Sequence, residues 1–289
     1  MEKTEKYKQK YTEAEIDMFP NESYFMDANV ELLKDVIHLL LALIKTKYCN
    51  ESEDAIEIDK IDSVIAGNLV RLYKLDISFL QNICERKTEI ALIISRAIIE
   101  CYINLSYIFA KQEEEYNTVR KQYINASLST EKKAKDIINN NIKEFDGVSS
   151  PIEDRMLSSI QSSISISEDD SFEKLANWPN IKNRCQVHDD GKLLYDFLYG
   201  IQSHAVHGTW QDLLFNHIVE EGNNFKINLN WIEPRPQVLE GVILYNILTI
   251  IKFVDKELNS IKNDIDIISN EMIDYLRILS LKHENFINN

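Results

Sequence analysis

Four hydrogen-bonding side chains recur at every fourth position of KLLYDFLYGIQSHAVHGTW (192–210): Tyr195, Tyr199, Ser203 and His207. On an α-helix four residues turn about 400°, so these side chains form one slowly drifting stripe. It closes at Gly208, where a helix would stop. A second stripe with the same spacing, Arg96, Glu100 and Asn104, lies in RKTEIALIISRAIIECYINLSYIFAK (86–111). Together these residue types can move protons and hold an anion. A histidine beside a carboxylate and a guanidinium is an acid–base unit, and a helix C-terminus favours its imidazolium form. In such a unit His207 would move the proton, with Arg96 and Glu100 beside it. Tyr195, Tyr199, Ser203 and Asn104 would line the binding surface. The same residues also suit a purely structural role, because a buried arginine needs a carboxylate or hydroxyl partner and such networks fix helix register. Both readings stand at this level.

The elements that would position these residues are helices. Segment 86–111 is apolar over much of its circumference, with Ile90, Ile94, Ile98, Cys101, Leu105 and Ile108, which predicts a central helix. Apolar spacing predicts further helices at about 30–48, capped by Asp27 or Asn29, at 58–78, and at 238–258. Residues 112–145 read as one or two solvated helices. The Ser-rich stretch 146–171 reads as a mobile surface loop holding at most a short helix over 152–160. Residues 209–219 suggest a short helix, and the alternation in FKINLNW (225–231) suggests a short β-ribbon without an obvious partner strand. The fold class is therefore all-α, a single multi-helix bundle. It divides into a polar N-terminal extension (1–24), a helical domain (25–260) and a C-terminal amphipathic helix (261–289).

Only 7 Gly and 5 Pro occur in 289 residues, which disfavours hairpin-rich or βαβ architectures. The net charge of −15 opposes non-specific binding to duplex DNA or anionic lipid. The longest apolar runs, 36–44 and 241–254, are shorter than the ~20 residues of a membrane span. The N-terminus has no apolar core of a signal peptide. Cys49, Cys84, Cys101 and Cys185 match no zinc or redox spacing and read as reduced thiols. A cytoplasmic protein without membrane contact is expected. His204 and His207 form H-x-x-H but lack a companion E-x-x-H, so no metal ligand is assigned, and no nucleotide loop or cofactor motif is present.

The order SRAIIECYINLSYI, then LLYDFLYGIQSHAVHGTW some ninety residues later, resembles a bacterial all-helical domain family of unknown function. Its hallmarks are an Arg-x3-Glu helix, matched by Arg96 and Glu100, and a Tyr-x3-Tyr-x3-Ser-x3-His-Gly helix, matched by Tyr195, Tyr199, Ser203, His207 and Gly208. The resemblance covers about residues 30–255. It implies a distant likeness to HEPN-type helical proteins, many of them RNA-cleaving toxins or phage-defence effectors. NRCQVH (183–188) places Arg184 four residues before His188, one residue tighter than the HEPN spacing. Two functions follow as expectations. One is an effector with metal-independent RNA-cleaving activity. The other is a non-enzymatic binding or scaffold protein. RNA, another protein or a second copy of the chain are the partners these allow.

Overall fold

A chain with so few glycines and prolines has few places to turn, and it folds almost wholly as helices. The computed structural model describes residues 7–168 and 175–288, apart from the side chains of Phe197, Leu198, Ile201 and Gln202. The elements are α1 (Glu13–Ile16), α2 (Glu22–Tyr48), α3 (Ser63–Cys84), α4 (Thr88–Phe109), α5 (Glu113–Glu144), α6 (Pro151–Ser167), α7 (Ile181–Cys185) and α8 (Gly191–Leu193). A π-helical stretch (Leu194–Tyr199) runs directly into α9 (Gly200–His207). Then come α10 (Trp210–Asn216), strands β1 (Ile218–Glu221) and β2 (Asn224–Ile227), α11 (Pro236–Glu257), a 3-10 turn and α12 (Lys262–Ile287). The protein is all-α with one short ribbon.

The helices sort into two compact units. The first comprises Met1–Ile56, Gly67–Phe109 and Ile181–Asn289. Its centre is α11, which packs against α2, α4 and α12. Leu239, Ile243, Ile247, Ile250 and Phe253 supply the α11 side of the core, all buried. Removing five such side chains from water is worth roughly 1.5–3 kcal/mol each. In the described part of the N-terminal stretch, Ile16 and Phe19 are buried, and the Tyr7 hydroxyl donates to Asp35 at 2.9 Å. Helices α4 and α11 are each long and apolar enough to cross a membrane by length and composition alone, and both exceed the apolar runs counted from the sequence. Here they are the most buried helices of this unit, a role that demands the same composition.

The second unit comprises Glu57–Ala66 and Ala110–Asn180. Helix α5 pairs with α6 through a small core of Leu128 and Ile164, with Ile124, Ile160 and Leu175 packed on it. Arg120, buried over the Tyr116 ring, donates to Asp62 and Asn117.

Three elements differ from their sequence-based expectation. The segment 146–171 is a helix over Pro151–Ser167, not a loop: Ser150 caps it, Glu153 completes the capping box, and Pro151 sits at the first helical position. Positions 169–171 of that segment lie outside the described residues. Helix α2 starts at Asn21, whose side chain accepts from the Ser23 N–H at 3.0 Å, well before Asp27 or Asn29. The ribbon has a partner: β1 pairs antiparallel with β2, Ile218 opposite Ile227. The period-2 pattern of FKINLNW identified one strand, while IVEE was too short to separate from the preceding helix.

Candidate functional site

Residues 181–217 form a bracket laid along α4. The bracket begins with a tight contact. A Cβ on Gly191 would stand 2.1 Å from the Cys185 carbonyl oxygen, so only glycine fits there. Ile99, Tyr102 and Ile103 of α4 then form one buried cluster with Cys185, Leu194 and Tyr245. Burial pushes the Cys185 thiol up to about 11 and the Tyr245 phenol up to about 12. His188 lays its ring on Tyr102 at 5.0 Å, and its Nδ1 meets the Tyr102 hydroxyl at 3.2 Å. Burial, with Lys252 second, holds its imidazole below the ordinary range. Gly208 ends α9 in the left-handed region with φ 57°, as its position in the sequence predicts.

Two polar clusters join this bracket to α4. In the first, Arg96 donates to the Ser203 hydroxyl and, at 2.8 Å, to the Tyr199 hydroxyl. Its guanidinium carbon also sits 4.3 Å from the Tyr199 ring centroid, a cation–π contact. Ser203 passes its own proton to the Tyr199 carbonyl at 2.8 Å, and Tyr195 stacks on Tyr199 at 5.9 Å. The two stripes therefore meet at Arg96, Tyr199 and Ser203.

The remaining stripe residues do not join them. Glu100 makes no ion pair with Arg96 among the described residues. Asn104 is buried and its Oδ1 has no hydrogen-bond partner. His207 is exposed and contacts neither Arg96 nor Glu100 by a hydrogen bond or ion pair among the described residues. The cause is local. His207 keeps the α-helical spacing from Ser203, but it is the last residue of α9, beside the Gly208 C-cap, and it faces solvent there. His204 instead faces a neighbour: its Nδ1 lies 2.9 Å from the Thr209 hydroxyl.

The second cluster was not assigned from sequence. Glu89, two turns before Arg96 and so on the same face of α4, meets Asp212 and His217 of α10 and its C-cap. His217 Nε2 lies 3.3 Å from Glu89 Oε1 and 3.6 Å from Asp212 Oδ2. The Asp212 side chain is only 3% exposed, and Asn216 donates to its other oxygen, Oδ1, at 2.8 Å. Beside this cluster opens a cleft of about 480 Å³. Leu92, Ala205, Phe215 and Val238 line it with apolar surface, and His204, Gln211, Asp212 and Arg235 add polar groups. Thr88 donates to the Ile232 carbonyl and Arg86 pairs with Glu233, which tie the loop before α11 to the start of α4. The signal that could have found this cluster is the seven-residue step from Glu89 to Arg96. The cleft itself comes from four separate segments and leaves no spacing in the sequence.

Residues 62–225, more than half the chain, match the model of the Family of unknown function (DUF5677). The chain belongs to that family. No curated protein and no solved structure matches it. The matched span holds both stripes and the whole second cluster.

Proposed function

We propose that this DUF5677 protein is a binding module. Its site would be the cleft walled by α4, α9, α10 and the start of α11, with the Arg96–Tyr199–Ser203 network acting as a structural lock. The cleft carries the reading. About 480 Å³ with apolar walls and a few convergent polar groups is the form of a small-molecule site. The ligand class it suits has an apolar body and a polar head that reaches His204, Gln211 or Arg235. Anilinonaphthalene sulfonate is a suitable probe, and Ala205→Phe, which fills the cleft, should abolish its saturable fluorescence. Arg96→Lys should leave that fluorescence unchanged. Binding unaffected by Ala205→Phe would defeat the reading.

A second reading keeps an RNA-cleaving effector of HEPN-like ancestry, with His207 as acid–base, Arg96 on the phosphate and Glu100 orienting. Its support is that Arg96 is only half-buried and spends one donor each on two hydroxyls, leaving other N–H groups for a phosphate. It requires RNA cleavage that His207→Ala removes without lowering the melting temperature.

A further inference from the structure

We propose that Glu89, Asp212 and His217 form a binding site for a divalent cation of the Zn²⁺ or Mn²⁺ class at the edge of the cleft. The distances are the first argument. A charge-assisted imidazole–carboxylate hydrogen bond would draw N and O to about 2.7–2.9 Å. Here His217 Nε2 stands 3.3 Å from Glu89 and 3.6 Å from Asp212, longer than such a bond in both cases. One donor atom from each of the three side chains lies within 4.8 Å of the others. Around an ion with ligands near 2.0–2.1 Å, tetrahedral donor atoms are about 3.4 Å apart. These spacings fit atoms that share a cation better than atoms that share a proton.

Asp212 supplies the second, independent argument. Its side chain is nine-tenths buried, yet Oδ2 receives no hydrogen bond among the described residues and points toward Glu89 and His217. No lysine or arginine pairs with Asp212 or Glu89 among the described residues. Among the described residues the His217 imidazole is the one group within ion-pair distance of both carboxylates, and a divalent ion shared by all three would offset their repulsion more fully. Asn216, donating to Oδ1, orients the ligand as a supporting group should. Three protein ligands beside an open cleft leave a coordination position for water or ligand. Imidazole with two carboxylates favours Zn²⁺ or Mn²⁺ over Mg²⁺ or Ca²⁺. The proposal deepens the binding-module reading, since Asp212 belongs to both cleft and site, but it is tested without organic ligand, so either can fail alone.

The test is equilibrium dialysis of the chelator-treated full chain against Zn²⁺ alone and Mn²⁺ alone, followed by elemental analysis. One saturable equivalent is expected. His217→Ala and Glu89→Gln should each weaken it at least about tenfold, and Asn216→Ala should weaken it to a lesser degree. The melting temperature should rise with metal in the wild type and in His207→Ala but stay flat in His217→Ala. His217 and Glu89 are partly exposed, so both variants should fold, which circular dichroism in chelator checks. If Asp212→Asn unfolds, these two variants still decide. Absence of saturable binding, or an equivalent that survives both His217→Ala and Glu89→Gln, overturns the site.

Discussion

Two polar clusters seven residues apart on one face of α4 hold the same bracket, yet they are built in opposite ways. Around Arg96 every contact is complementary: a cation gives protons to two hydroxyls and covers an aromatic face. Around Glu89 the groups are mismatched: two carboxylates face one imidazole at 3.3 and 3.6 Å, and no hydrogen bond joins it to either among the described residues. A network whose hydroxyls are satisfied lowers the energy of the fold and has less left to offer a ligand. An underfilled one costs the fold something and retains capacity to bind. The contrast moves the functional weight from the Arg96 stripe to the cleft end of α4.

The comparison breaks most readily at Arg96. Arg96→Leu strands the Tyr199 and Ser203 hydroxyls in a partly buried contact, and thermal or urea unfolding should show a loss of about 2 kcal/mol. Arg96→Lys should recover only part of that, because an ammonium cannot reach both hydroxyls while stacking on the ring. A melting temperature unchanged in Arg96→Leu would remove the lock.

A second test sets Asp212 against Asp76, the other buried aspartate held by an asparagine. Asn246 donates to Asp76 at 2.9 Å, as Asn216 does to Asp212 at 2.8 Å. Asp76 is fully buried, and burial pushes its carboxyl well above the ordinary range. The folded state therefore binds this proton more tightly than the unfolded chain. Its contribution is complete below the unfolded value near pH 4 and is lost as pH rises toward the folded value, by up to about 1.4 kcal/mol per pH unit. Asp76→Asn should be more stable than wild type at pH 8 and close to it at pH 4 in parallel melts. The reverse order at pH 8 would show that Asp76 is folded as a charged group.

The smallest effect belongs to the underfilled cluster. In chelator, Asp212→Asn keeps the Asn216 bond and loses only long contacts, so stability at pH 8 should stay within about 1 kcal/mol of wild type. A loss matching that of Arg96→Leu would mean that the two clusters are alike.

Much of the fold was legible in the sequence, because apolar spacing of the kind seen at Ile90, Ile94 and Ile98 has one physical meaning. Gly208 was legible as a stop, since glycine takes φ 57° at no steric cost. The meeting of Arg96 with Tyr199 and Ser203 was legible from matched spacing on two buried helices. That His207 faces solvent at the end of α9, apart from the Arg96 network, was not legible, because four-residue spacing does not say where a helix leaves its packing partner. The β1 strand and the Glu89–Asp212–His217 cluster were missed because each depends on contacts between separate segments, and α6 was foreseen only as a short helix over 152–160 within a loop.

The π stretch also bears on how this region tolerates changes in length. A hydrogen-bonded loop of five residues instead of four stores one residue beyond what a continuous α-helix from Leu194 to Ser203 would use. Loss of an exposed position such as Asp196 can be absorbed by reversion to plain α-helix, with Leu194 still in its buried cluster and Ser203 still under Arg96. The alignment of the bracket on α4 is thus written in its anchoring contacts at each end, and the count of residues between them is free to vary by one.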